Sequence, residues 1–175
     1  KNVNLDDLND AFNRVKIESS SVTNQTGIEI KGAENNLIGI GQKEQDPSTP
    51  SGISLKNNGT INLSGENVIG MYKSGYQTGK VENNGAIIVG KNSVGMYVLD
   101  RYYDSGRPNE EDVLNTGNIN VGENSIGMYY EDVPLDDFNY FGGANFNGGM
   151  HNTGNIRSNS KNVIGMYMNS DSTDL

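Results

Sequence analysis

Aromatic and charged side chains that could bind a ligand cluster in two stretches of this sequence, Val98 to Leu114 and Tyr130 to His151. Aromatic rings pack on the apolar faces of sugars and protein side chains, while carboxylates accept hydrogen bonds or pair with Lys and Arg. This mixture predicts a surface that binds a glycan or a protein. The alternative is that the rings only hold the two stretches against the rest of the fold. The candidate ligand-binding residues are Tyr102, Tyr103, Asp104, Arg107, Asp136, Asp137, Phe138, Tyr140, Phe141 and Phe146.

Motifs for catalysis are absent from the sequence. It has no Gly-rich phosphate loop with Lys, no nucleophile elbow and no cysteine, and His151 is its only histidine. Adjacent acids such as Asp136 and Asp137 could serve glycoside hydrolysis or calcium binding, but no EF-hand or nonapeptide calcium pattern surrounds them. We therefore expect a non-catalytic protein without a cofactor. The connections could bind calcium, but no motif in the sequence supports such a site.

A repeat places the two stretches within the fold. It occurs four times, as Asn57 to Tyr72, Asn83 to Tyr97, Asn115 to Tyr129 and Asn152 to Tyr167, and a degraded earlier copy aligns Gly39 with Gly70. Such a unit cannot bury its own apolar face and must stack on its copies. The sequence predicts an all-β parallel β-helix of about five coils.

The distance between repeats changes only after the Gly-Met-Tyr element. Gly70, Gly95, Gly127 and Gly165 are separated by 25, 32 and 38 residues (95−70, 127−95 and 165−127). All the variable connections therefore leave the coil at one point, so we expect them to emerge on one flank and form a single surface. They are 42–56, 73–82, 98–114 and 130–151.

Apolar residues two apart predict two short strands in each unit, the first containing Ile61 and Leu63 and the second Ile69 and Met71. On this pattern both residues of each pair point into the interior, and equivalent residues stack in columns. The predicted columns of the second strand are Ile69, Val94, Ile126 and Ile164, and Met71, Met96, Met128 and Met166.

Polar residues repeat with the same register. We expect amide ladders of Asn57, Asn83, Asn115 and Asn152, and of Asn67, Asn92, Asn124 and Asn162. The Asn-x-Gly triplets ending at Gly59, Gly85, Gly117 and Gly154 are typical of corners that need a positive φ. Tyr72, Tyr97, Tyr129 and Tyr167 are expected to form an outward or corner stack with a structural role.

The two ends of the sequence differ from the repeats. Leu5, Leu8, Phe12 and Val15 have helical spacing, so we assign 1–20 as a helical segment or cap, 21–170 as the β-helix and 171–175 as a tail. The tail carries no cap signal. We therefore expect the parent chain to continue into neighbouring coils.

Charge and hydropathy limit the partners. The net charge of −9 disfavours nucleic acids and anionic lipid surfaces, both of which attract basic patches. Only 33% of the residues are apolar, and no run of about 18 apolar residues could span a bilayer, so we expect no direct membrane insertion by this segment.

The repeat N-[NT]-G-x-I-x-[VL] followed by G-[EK]-N-[SV]-[VI]-G-M-Y resembles the passenger repeats of very large autotransporter adhesins from fusobacteria and their relatives, between Asn24 and Tyr167. The resemblance implies a right-handed parallel β-helix, exported by type V secretion and displayed outside the cell on the outer membrane. It also implies a role in coaggregation, attachment to host cells or biofilm formation, with a protein or glycan on a host cell or bacterium as partner. The matching positions are scaffold, so no binding residue is carried over.

Three functions follow from these patterns. The first is an adhesin segment whose stacked connections contact the ligand. The second is a structural spacer that raises a distal binding domain. The third is a β-helical polysaccharide lyase or hydrolase, for which the outward strand positions offer mainly Asn, Ser and Thr instead of acids and Arg.

Overall fold

Five coils of three short β-strands make up the part of the chain that the structure describes. This structure, a computed structural model, describes residues 21–43, 54–76, 80–102, 113–134 and 149–170. The predicted helical segment 1–20 and the tail 171–175 lie outside these residues. In the described ranges no helix is long and apolar enough to cross a membrane.

The strands follow one another in the same order in every coil. The first coil contains β1 (Val22–Asn24), β2 (Glu29–Gly32) and β3 (Ile38–Lys43). The second and third contain β4 (Leu55–Asn57), β5 (Thr60–Leu63), β6 (Ile69–Tyr76), β7 (Val81–Asn83), β8 (Ala86–Val89) and β9 (Val94–Tyr102). The last two contain β10 (Val113–Asn115), β11 (Asn118–Val121), β12 (Ile126–Pro134), β13 (Met150–Asn152), β14 (Asn155–Arg157) and β15 (Ile164–Ser170).

Each strand pairs in parallel with its equivalents in the coils above and below. Sheet A has the order β1-β4-β7-β10-β13, sheet B the order β2-β5-β8-β11-β14, and sheet C the order β3-β6-β9-β12-β15. Three parallel five-stranded sheets wound in this way confirm the predicted parallel β-helix and its five coils. The alignment of Gly39 with Gly70 is also confirmed, because Ile38 pairs with Ile69 and Ile40 with Met71.

Sheet A was missed by the sequence analysis, which expected two strands in each coil. Leu55 and Asn57 of β4 are both buried, and Lys56 between them is half-buried. The inward residues of this strand thus alternate with a period of two. The strand has only three residues, however, and one of its two inward residues is polar. The repeat pattern alone predicts that the residues of β4 lie in a connection and a corner.

The interior is lined by columns of equivalent side chains. Ile30, Ile61, Ile87, Ile119 and Ile156 lie in register along sheet B. Met71, Met96 and Met128 of sheet C and Leu55, Val81 and Val113 of sheet A join the same buried cluster. Burying each such side chain contributes about 1.5–3 kcal/mol, so the stacked columns are the main source of stability.

The prediction that Ile69 and Met71 share the inward face is wrong for Ile69. Met71 lies in the main core, but Ile69 packs with Tyr72, Val94 and Tyr97 in a second cluster. Gly70 lies between them and faces the core, because a Cβ on it would lie 2.5 Å from Ile87 Cγ2. Gly70 and Met71 therefore both face inward, and the alternation shifts by one residue. The equivalent Val94 also belongs to the second cluster, and Ile126 packs against it.

The corner glycines have a different role from the one predicted. Among the described residues, positive φ angles occur at Gly27 and at the asparagines of the other turn, Asn36, Asn67, Asn92, Asn124 and Asn162. Gly59, Gly85, Gly117 and Gly154 are not among them. A Cβ on Gly85 would overlap the carbonyl oxygen of Gly59 in the preceding coil. These glycines thus allow the coils to approach each other closely.

Candidate functional site

The variable connections leave sheet C from adjacent positions. β6, β9 and β12 extend beyond the Gly-Met-Tyr element, and their last paired residues include Tyr76 beside Arg101 and Tyr102 beside Pro134. Adjacent strands lie about 4.8 Å apart, so the connections 77–79, 103–112 and 135–148 start side by side. The predicted starts at Lys73, Val98 and Tyr130 were therefore too early, because these residues belong to the strands.

The connections also return in register. Leu55 pairs with Val81, Val81 with Val113 and Val113 with Met150, at the first residues of successive sheet A strands. Every variable connection therefore joins sheet C to sheet A across the same corner. We refer to this region, with its strand ends at 74–76, 99–102 and 131–134, as the connection corner.

Most of the predicted ligand-binding residues lie outside the described part of the chain. Tyr102 is the last residue of β9 and the register partner of Pro134, which places it at the connection corner. The others fall in 103–112 and 135–148, the connections whose two ends the structure describes. They are Tyr103, Asp104, Arg107, Asp136, Asp137, Phe138, Tyr140, Phe141 and Phe146.

A column of stacked tyrosines occupies the outer side of sheet C below the connection corner. The ring centroids of Tyr72 and Tyr97 are 5.5 Å apart, those of Tyr97 and Tyr129 4.9 Å, and those of Tyr129 and Tyr167 5.4 Å. The first three rings are buried, and Ile69 and Val94 pack against them. The column makes the base of the corner an ordered apolar layer.

Glu131 connects two of these rings. Its Oε2 accepts hydrogen bonds from Tyr97 Oη at 3.3 Å and from Tyr129 Oη at 3.2 Å. Burial, followed by the charge of Glu131, raises the pKa of Tyr129 to about 12 and moves the pKa of Tyr97 upward as well. The repeat pattern predicts Glu131 to lie in a connection, but it is part of β12 and bonds to two rings of the tyrosine column.

Two polar residues lie inside the coil beneath the same corner. Gln42 and Lys73 are buried, are register partners, and continue the inward face of Ile40 and Met71. Gln42 Oε1 has no hydrogen-bond partner among the described residues. In the next two coils the same position holds Val98 and Tyr130, both in the main core. Tyr130 is thus a core residue and not one of the connection aromatics.

Sheet A forms the other side of the connection corner. Its outward column contains Lys56 and Glu82, whose Nζ and Oε2 are 2.7 Å apart, followed by Leu114 and His151. His151 is exposed. Within the described ranges no group of three or more His, Cys, Asp or Glu side chains could hold a metal ion.

The first asparagine ladder runs along the interior edge of sheet A. Asn24 Nδ2 donates to Asn57 Oδ1 at 2.8 Å. Asn57 then donates to Asn83, Asn83 to Asn115, and Asn115 to Asn152, each at 2.7 Å. Asn57 Nδ2 also donates to the Ala86 carbonyl oxygen at 3.2 Å. These amides are engaged within the scaffold.

The second ladder is more exposed and has the opposite polarity. Asn162 Nδ2 donates to Asn124 Oδ1 at 3.0 Å, and Asn124 Nδ2 to Asn92 Oδ1 at 3.2 Å. All three residues have positive φ, which asparagine tolerates better than most residues. Both the conformation and the hydrogen bonds fit a structural role at this turn.

Comparison with known proteins adds one family. No curated protein and no solved structure matches the chain. The BigA third pectate lyase-like domain matches residues 2–134 of the 175, a range that includes the first four coils and two of the long connections. The parallel sheets agree with this family's fold. The chain therefore belongs to the family of the BigA third pectate lyase-like domain, a β-helix domain of a large surface protein.

Proposed function

We propose that this chain is a segment of a bacterial surface adhesin, carried in an autotransporter passenger of the fusobacterial type, and that it has no catalytic activity. Its coils are a rigid support, and the connections at the corner between sheets C and A contact a protein or glycan on a host cell or another bacterium. The observation that carries the proposal is the shared register of the connection ends. Strands that exit and return in register gather separate segments into one surface.

The rigidity of the support favours binding at this place. The asparagine ladder and the tyrosine column fix sheets A and C on either side of the corner. A segment whose two ends are held loses less conformational entropy when it contacts a partner than a free segment of the same length. The connections are thus presented by a support that contributes affinity without touching the ligand.

The composition of the two longest connections fits this role. They contain the aromatic and charged residues that the sequence predicts to bind a ligand. In the coil, by contrast, the buried Asn83 bonds to its equivalent Asn115, and the buried Tyr97 stacks on its equivalent Tyr129. Membership in a family of surface-protein domains supports display outside the cell. The sequence of the repeat supports the assignment to an autotransporter passenger.

Replacing 135–148 with the short connection Gln77-Thr78-Gly79 tests the proposal, since 77–79 spans the same corner. A variant in which the order of 135–148 is scrambled keeps length and composition and is the control for steric effects. Both variants should keep the β-rich circular dichroism and lose binding to cells, or to a protein and glycan panel measured with and without calcium. A further variant combines this short connection with a replacement of 103–112. Full binding by that combined variant would contradict the proposal.

A spacer is the second candidate, and the axial continuity of the ladders favours it. Side-chain hydrogen bonds of the asparagine ladder run through all five coils, and ring stacking runs through the second to the fifth, as a stiff stalk requires. In the same panel a spacer would bind nothing. Release of unsaturated sugar products from a uronate polysaccharide would instead contradict the absence of catalysis and favour a polysaccharide lyase.

A further inference from the structure

Sheet B forms a regular outer surface on the side of the coil away from the connection corner. Every variable connection joins sheet C to sheet A, and only short turns border sheet B. Its five strands pair in register, and each presents two outward side chains. We call this surface the sheet B face. One column of it contains Glu29, Thr60, Ala86, Asn118 and Asn155, and the other contains Lys31, Asn62, Ile88, Asn120 and Arg157.

The sheet B face is open to solvent. Glu29 and Lys31 of β2 and Asn118 and Asn120 of β11 are exposed, while the residues between them are half-buried or buried. Ile88 is 37% exposed in spite of its apolar side chain. The outer tyrosines of sheet C in the second to fourth coils are buried instead. A partner can therefore reach the sheet B face directly.

The charges of the sheet B face are not paired within the described part of the chain, where Glu29, Lys31 and Arg157 form no ion pair. Asn62 Nδ2 donates to Glu29 Oε1 at 3.1 Å, which restrains the carboxylate. The face has one acidic and two basic side chains, although the net charge of the whole chain is −9. Repulsion between two acidic copies of the chain is therefore weak at this face.

The two columns complement each other in charge and size. A twofold axis parallel to the coil axis places each column against the other column of a second copy, because an isologous contact exchanges the two positions. Glu29 then faces Lys31 of the second copy, and Lys31 faces Glu29. In the third coil the small Ala86 faces the large Ile88 of the second copy. Amide and hydroxyl side chains face each other in the second and fourth coils.

We propose that the sheet B face pairs with the sheet B face of a second copy of this chain, with the two coil axes parallel. The connection corners then lie on the two outer sides of the pair, so the connections stay free. Copies attached to one surface point in the same direction, and this arrangement fits neighbours on one cell. The pairing rests on the residues of the face and does not depend on the adhesion proposed above.

An antiparallel pair fits less well. A twofold axis along the strands places the first coil against the fifth, so Lys31 faces Arg157 of the second copy at both ends. Ala86 then faces Ala86, and Ile88 faces Ile88, so two small side chains meet and two large ones meet. Facing like charges disfavour this arrangement.

The size of the sheet B face predicts a weak contact. Five strands about 4.8 Å apart, with two outward residues on each, cover roughly 20 by 10 Å. A stable interface takes about 800 Å² from each partner. The pairing therefore matters where copies are concentrated on a surface, and its test must trap a transient contact.

Chemical cross-linking tests the pairing on the unmodified chain. Unlabelled copies are mixed with copies labelled with heavy nitrogen, and a carbodiimide then joins contacting carboxylates and amines as amides. Only a bond between two copies gives a mixed product, with one light and one heavy peptide. Mixed products of Glu29 with Lys31 should exceed those with Lys91 at least about tenfold, because contact raises the effective concentration. Lys91 is exposed outside the sheet B face and reports random collision. Lys56 and Glu82, whose 2.7 Å contact lies within one chain, should give unmixed products.

Two variants make the result specific. Ala86→Arg fills the space that faces Ile88 of the second copy, so the mixed Glu29–Lys31 product should fall to the collision level. His151→Arg adds the same side chain at an exposed position of sheet A and should leave this product unchanged. A dimer that sediments without the mixed Glu29–Lys31 product would overturn the proposal. A product at the collision level in the unmodified chain, or an equal loss in both arginine variants, would also overturn it.

Discussion

Asn83 Nδ2 donates a hydrogen bond to Asn115 Oδ1 at 2.7 Å, and both amides are completely buried. Asn83 also accepts from Asn57 Nδ2 at 2.7 Å, so one amide serves two neighbouring coils. Because a buried polar group costs free energy when it is unpaired, the ladder requires polar groups at equivalent positions in adjacent coils. It therefore specifies the register of sheet A in addition to stabilising it.

Asn83→Ala should lower the free energy of unfolding by about 3 kcal/mol, because it leaves a buried donor on Asn57 and a buried acceptor on Asn115. Asn84→Ala is the matched control. Asn84 also bonds to both neighbouring coils, through Asn58 and Thr116, but it is exposed to water. Its replacement should cost less than about 0.5 kcal/mol. Urea unfolding followed by circular dichroism measures both values, and equal losses would show that burial is not the cause.

Gly95→Ala should destabilise the chain by about 2–3 kcal/mol, the usual cost of forcing extra atoms into a packed interior. The new Cβ would lie 2.5 Å from Gly127 O and 2.6 Å from Ile119 Cγ2. Gly165→Ala makes the same change at the equivalent position of the fifth coil, where nothing lies within 4 Å. Thermal unfolding should separate the two variants, and a neutral Gly95→Ala would mean that the coils can move apart without cost.

The sequence was sufficient to predict the stacking of the coils but not the local reason for each glycine. The spacing of the repeats shows which residues are equivalent in successive coils. This equivalence predicted the columns of side chains, the number of coils and the common departure point of the connections. Whether Gly85 is needed for a positive φ or for a close approach depends on the adjacent coil, which local sequence does not describe. The same holds for Gly70, which faces the core while the preceding Ile69 belongs to the tyrosine cluster.

Of the candidate site, the sequence could predict only that the variable connections share one corner. Tyr102 lies at the corner where the long connections begin, as their variable lengths indicated. Sheet A escaped detection because a three-residue strand such as β4 contains only Leu55 and Asn57 as inward residues, and one of them is polar. The positions of Tyr130 and Glu131 within β12 are not evident from the sequence, because the repeat pattern ends at the last repeated tyrosine although the strand continues to Pro134.

Met96→Ala should cost about 2–5 kcal/mol, the range for removing a large apolar side chain from a packed core. Met96 is completely buried between the equivalent methionines of the adjacent coils. Met166→Ala is the matched change in the exposed fifth coil and should cost well under half as much. Denaturant unfolding of the two variants measures this gradient along the axis, and an equal effect would contradict the exposure of Met166 in the fifth coil.

The tyrosine column predicts a loss of stability at high pH. The pKa of Tyr129 rises from the ordinary 10.0 to about 12, first through burial and second through the charge of Glu131. A group with a raised folded-state pKa contributes its full stabilisation below the unfolded value, and this is lost as the pH rises through the folded value. The urea midpoint should therefore fall between pH 10 and about 12.

Two variants identify the source of this loss. Tyr129→Phe keeps the ring in the stack and removes the ionising group, so its urea midpoint should fall less over the same pH interval than that of the unchanged chain. Glu131→Gln removes the second cause of the raised pKa of Tyr129 but leaves its burial. The urea midpoint of this variant should therefore fall by an intermediate amount over the same pH interval. Identical pH profiles for the unchanged chain and Tyr129→Phe would exclude Tyr129 as the titrating group. A Glu131→Gln profile as flat as that of Tyr129→Phe would make the carboxylate, not burial, the dominant cause.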